Sequence, residues 1–72
     1  LAWRENDLRS ALVAFTAAVE NLPEHVASWY YLAETRRAEN DREGARVAYQ
    51  RCLELNASHG RAIDALALLE AE

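Results

Sequence analysis

Apolar positions recur at spacings of three and four residues in four successive stretches, each closed by a short polar break, and this pattern predicts four amphipathic helices. The first, over about 7–21, sets Leu8, Ala11, Leu12, Phe15, Ala18 and Val19 on one face, with Leu22 continuing the stripe. It follows the polar group Glu5, Asn6, Asp7, where a side-chain oxygen accepts a hydrogen bond from a free amide of the next turn. Pro23 ends that helix and opens a second, over 23–39, because its ring is tolerated in a first turn and forbids continuation of the old one. Trp29, Leu32, Ala33 and Arg36 share one side of the second helix; Tyr30, Glu34 and Arg37 project from an adjacent side. The third, over 42–55, turns Ala45, Ala48, Tyr49, Cys52 and Leu53 inward, with Gly44 a weak point in its first turns. Asn56 and Ser58 signal the start of the fourth, over 58–71, whose expected packing side is Ile63, Leu66 and Ala67. Residues 1–5 read as the tail of an earlier helix. Connections this short make successive helices antiparallel neighbours.

The pattern repeats. Aligning 5–20 on 39–54, a shift of 34, gives identity at Glu5/Glu39, Asn6/Asn40, Asp7/Asp41, Ala11/Ala45, Val13/Val47, Ala14/Ala48 and Glu20/Glu54, with Phe15/Tyr49 a similar pair. Leu32 and Ala33 stand the same distance before Leu66 and Ala67, and His25 before His59. Self-similarity at this period is the mark of stacked-repeat architectures. It divides the single domain into 1–22, the second half of one unit, 23–56, a full unit, and 57–72, the first helix of a third.

At these residues the chain resembles the tetratricopeptide repeat family. Trp29, Leu32 and Ala33 fill its first-helix landmarks and Ala45, Tyr49 and Cys52 its second-helix ones. Ala11, Phe15, Ala18 and Pro23 match the second half of the preceding unit, and Ile63, Leu66 and Ala67 begin the next. Arg36 departs from the expected Tyr, Asn40 from Gly and Ala57 from Pro; a guanidinium at 36 must reach solvent or a carboxylate. The resemblance implies an all-α fold of antiparallel helix-turn-helix repeats stacked as a right-handed α-solenoid. In it the small residues let backbones approach, while Trp29, Phe15 and Tyr49 fill the wedge between hairpins. It also implies a concave groove that holds a peptide or a helix of a partner protein. Tyr30, Tyr31, Glu34 and Arg37, flanked by Ala27 and Ala38, would line it, joined by Arg61, Asp64 and Leu68. The carboxylate clamp of some relatives does not carry over, since only Arg61 has a counterpart. The plain alternative for these residues is a solvated helix face with pairs such as Glu34 with Arg37.

Composition narrows the function further. Apolar residues make up 51% and charged residues 28%, with one Pro and two Gly, which excludes disordered and collagen-like chains. Net charge is −4 and the eight basic residues, all Arg, are scattered among acidic ones, so no basic stripe exists to displace counterions and no nucleic acid is expected. No apolar run approaches the roughly 20 residues that span a bilayer, so no membrane insertion is expected. Cys52, His25 and His59 do not form a metal-ligand set; the histidines read as helix-start residues and Cys52 as buried filler. No catalytic constellation comes forward, so neither an enzyme nor a cofactor is expected. The lone Cys52 leaves the compartment open, with a soluble cytoplasmic setting favoured.

The run Leu66, Ala67, Leu68, Leu69 is broader than one packing stripe requires, and the side of helix one meant for a preceding first helix has no occupant. With no Met at the start, the expectation is a fragment of a longer array that self-associates through one or both ends. The alternative to the groove is therefore a homo-oligomer built through the terminal helices.

Overall fold

The computed structural model describes residues 5–71, and among them every regular element is a helix. α1 spans Glu5–Asn21, α2 Val26–Ala38, α3 Arg42–Leu55 and α4 Gly60–Ala71. The expected tail of an earlier helix lies outside the described residues except at Glu5, where α1 already begins.

α3 has the predicted bounds, while the other three helices differ at their starts for local reasons. Glu5, Asn6 and Asp7 lie inside the first turn of α1 and form no break. The same three letters at 39–41 do form one, because the end of α2 holds them in a turn. Asn40 takes a left-handed φ of 64°, the amide of Asn40 donates to the Arg37 carbonyl at 3.0 Å, and that of Asp41 donates to the Arg36 carbonyl at 2.9 Å. This is the closing pattern in which a left-handed residue lets the last carbonyls find partners. Asp41 then caps α3, its Oδ1 accepting from the Gly44 amide at 3.0 Å. A Cβ on Gly44 would collide with that cap carboxylate and with the Arg36 stem, so the glycine is there for clearance. Arg36 remains partly exposed, as a guanidinium there requires, and donates to the Gly44 carbonyl at 3.3 Å.

Pro23 sits in the turn before α2 and not in its first helical turn. The His25 amide donates to the Leu22 carbonyl at 3.0 Å, and the Pro23 carbonyl is taken by the Trp29 indole N–H at 2.8 Å, which leaves His25 as the N-cap. α4 starts two residues later than expected. Asn56 Oδ1 accepts from Ser58 and holds it in a turn, and His59 Nδ1 accepts from the Ala62 amide at 3.1 Å.

Packing runs along the chain: α1 lies on α2, α2 on α3 and α3 on α4. The start of α3 meets the end of α4, where Arg42 donates to the Leu69 carbonyl at 2.8 Å, so these two run antiparallel. The core consists of Val19, Leu32, Ala33, Ala45, Ala48, Tyr49, Cys52, Ala62, Ala65 and Leu69, half of them alanines. Methyl-sized side chains let helix backbones come close, and Tyr49 fills the remaining space as the largest fully buried side chain.

α4 corrects the sequence reading. It buries Ala62, Ala65 and Leu69, with Leu66 half-buried, whereas Ile63 is 45% exposed and Ala67 also faces out. The face that meets α3 lies roughly a third of a turn from the one carrying Ile63 and Ala67, at about 100° per residue. On this assignment Leu69→Ala should cost about 2–5 kcal/mol, while Leu68→Ala should stay within about 0.5 kcal/mol. Urea denaturation of the two variants at low protein concentration checks it; equal losses would show that α4 is rotated.

Candidate interaction surface

The surface is built on α2, whose turns alternate between a buried and an open flank. Leu32, Ala33 and Thr35 are fully enclosed, and Thr35 satisfies its hydroxyl by donating to the Tyr31 carbonyl at 2.8 Å. That placement sends Tyr30 and Tyr31 to the other flank, Tyr30 half-buried and Tyr31 47% exposed. The Tyr31 ring stacks on Phe15 of α1 at 5.6 Å between centroids and meets Tyr30 edge-on at 5.5 Å. Tyr30 continues the row, 6.2 Å from Tyr49 of α3 and 5.1 Å from His59 before α4. Aromatic pairs at these separations are worth about 0.5–1.5 kcal/mol each beyond the area they bury. Five rings therefore tie α1, α2, α3 and the turn that leads into α4 together along one side of the molecule.

Charged groups are set around this row. Glu34 is half-buried and accepts from the Tyr49 hydroxyl at 3.0 Å. Arg37 approaches the same phenol from the next turn of α2. Burial and then the Glu34 carboxylate push the Tyr49 phenol well above its ordinary value, against the smaller opposing pull of Arg37. Tyr30 is also raised, first by desolvation and then by Glu34, while the exposed Arg61 cation acts in the opposite sense through space.

Of the residues expected to line a groove, Tyr30, Glu34, Arg37 and Arg61 thus gather about the Tyr49–Tyr30 pair, and Tyr31 joins through its edge contact. Ala27 is half-buried beside them and Ala38 is exposed. Asp64 and Leu68 lie on the open side of α4, Leu68 at 58% exposure. Phe15, Tyr49 and His59 were assigned to packing or capping by sequence reasoning, yet each contributes a ring to the row. No spacing rule links His59 to Tyr30 across a hairpin, so that contact had no signal in the sequence.

The other expected packing residues sort by helix. Trp29 is half-buried with the Arg51 guanidinium 5.9 Å from its ring centre. Ala45, Tyr49 and Cys52 are fully buried, whereas Ala11, Phe15 and Ala18, one repeat earlier, are only half-buried. Burial raises the Cys52 thiol, which suits a filler and not a nucleophile. His25 and His59 both act at helix starts, His25 through a 2.6 Å hydrogen bond between Nδ1 and the Ser28 hydroxyl. A hollow of about 360 Å³ at the α1–α2 turn is lined only by Asn21, Leu22, Pro23, Glu24 and His25, apart from the aromatic row.

Among the described residues, then, the chain is an all-helical protein of consecutive helix-turn-helix pairs, with no helix long and apolar enough to cross a membrane. No family model and no solved structure matches it.

The Tyr49 environment has a consequence at high pH. Because its folded-state value is raised, the unfolded chain loses the phenolic proton from about pH 10 while the folded chain keeps it. The Tyr49 share of stability is therefore intact below about pH 10 and is lost as pH rises further. In Tyr49→Phe the alkaline slope should be shallower, leaving the shares due to Tyr30 and Cys52, and neutral stability should drop by about 1 kcal/mol as Glu34 loses its donor. Melting curves from pH 8 to 11, as rough limits, test both.

Proposed function

We propose that the chain is a short right-handed α-solenoid of tetratricopeptide-like hairpins, divided at 1–22, 23–56 and 57–72, and that it is a non-enzymatic scaffold presenting a concave helical groove to a peptide or helix of a partner protein. The observation that carries this reading is the exposure of Tyr31, held rigid by stacking on Phe15 and flanked by Tyr30, Glu34, Arg37 and Arg61. A merely solvated face has no use for a braced, half-exposed aromatic. A docking face does, because a fixed ring offers contact area with little entropy left to lose, and Arg and Glu beside it can pair with a peptide's charges. The neighbour-on-neighbour packing of α1 to α4 supports the solenoid, since stacked repeats touch mainly the next element along the chain.

The second reading, assembly of copies through their terminal helices, has its own observation in the open sides of α1 and α4 and does not depend on the groove.

Selection of a random displayed-peptide library on the folded protein tests the groove. Enriched peptides should lose about 10-fold or more in affinity on Tyr31→Ala, a loss of about 1.4 kcal/mol, and less on Arg61→Ala, with melting temperature unchanged for the Arg61 variant. Peptides that bind Tyr31→Ala as tightly as the parent would remove the basis for this reading.

A further inference from the structure

The internal repeat allows like-for-like comparison of positions one period apart. Thr35 and Leu69 are equally buried, as are Ser28 and Ala62, because all four face the preceding helix. The other flank differs. Ala33 of α2 is fully enclosed by α3, but its counterpart Ala67 is exposed on α4. Ala48 of α3 is fully enclosed, but its counterpart Ala14 is exposed on α1. What α2 offers to α3, α4 therefore offers to open space, and what α3 offers to α2, α1 offers likewise.

The two open flanks fit each other by more than smallness. Glu34 of α2 accepts from the Tyr49 hydroxyl of α3 at 3.0 Å. The counterparts of this pair are Leu68 and Phe15: carboxylate and hydroxyl have both gone, so a polar pair is replaced by an apolar one. Leu68 on α4 would face a hydroxyl with no carboxylate to receive it unless the facing residue changed too, and Phe15 on α1 carries that change.

We propose that α4 of one copy docks on α1 of a second copy in the register of the internal α2·α3 pair, with Ala67 against Ala14 and Leu68 against Phe15. This deepens the assembly reading and rests on the repeat register, not on the groove. The contact joins two different surfaces, so a docked pair still presents one free α4 and one free α1, and association continues head to tail. The partner is a second copy of this chain because the compensating residues are its own.

Sedimentation equilibrium on the intact chain should show a weight-average mass that climbs with concentration past the dimer. A mass that stays monomeric up to about 1 mM, which bounds any self-affinity below about 4 kcal/mol, would overturn the proposal. Ala67→Arg blocks α4 and Ala14→Arg blocks α1, both at exposed helical positions that should leave folding intact by circular dichroism. Each variant alone should be a monomer, and their equimolar mixture should form a 1:1 dimer and stop there. Dimerisation of either variant alone would mean that a face pairs with itself, against the proposal. Register is tested separately. Leu68→Glu should weaken association by about 10-fold or more, and adding Phe15→Tyr to the same chain should restore a large part of it by rebuilding the Glu34–Tyr49 pair between copies. Loss without recovery would reject this register while leaving assembly and groove as separate questions.

Discussion

The close approach of α2 and α3 is the constraint from which the rest of the structure follows. Ala33 on one helix and Ala45 and Ala48 on the other are fully enclosed, so nothing bulkier than a methyl stands in this part of the core. Tyr49, the largest fully buried side chain, fills the remaining gap, and its hydroxyl donates to Glu34 of α2. The same proximity explains the tight turn between the helices. Asn40 in its left-handed conformation, the Asp41 cap and the Arg36 to Gly44 contact all sit within one turn of the crossing, and Gly44 is where a side chain would break them.

That central pair also decides what is left over. Once α2 gives one flank to α3 and another to α1, the remaining flank carries Tyr30 and Tyr31, and these rings reach outward to Phe15, Tyr49 and His59. The aromatic row is thus a product of the packing on the opposite side. The ends of the stack behave differently. α1 and α4 each have one main neighbour, so each buries one flank and exposes the flank that its repeat counterpart encloses. A linear stack necessarily leaves two such surfaces.

The groove and the ends share Phe15 and Leu68 at their margins but make different demands. A groove depends on rings being held still, which the internal stacking does. An end depends on complementarity with something outside the chain, and the joint loss of carboxylate and hydroxyl at Leu68/Phe15 is a feature that internal packing alone does not require.

Helix number, the bounds of α3, the antiparallel course and the identity of the central core were all legible in the sequence, because the 34-residue recurrence and the three-and-four spacing are local properties of the chain. The histidines were legible as helix-start residues, but the starts of α2 and α4 fell two to three residues later than expected, because Pro23 and Ser58 are held in turns, by Trp29 and Asn56, and not in first helical turns. The sequence likewise could not tell which flank of α4 would be covered. Ile63 and Ala67 are as apolar as Ala65 and Leu69, and burial depends on where α3 lies, not on hydrophobicity. Periodicity determined that each helix has an oily side; only the three-dimensional arrangement determined which part of that side meets a neighbour, because a helix surface wide enough for two partners looks the same in sequence whether one or both are present.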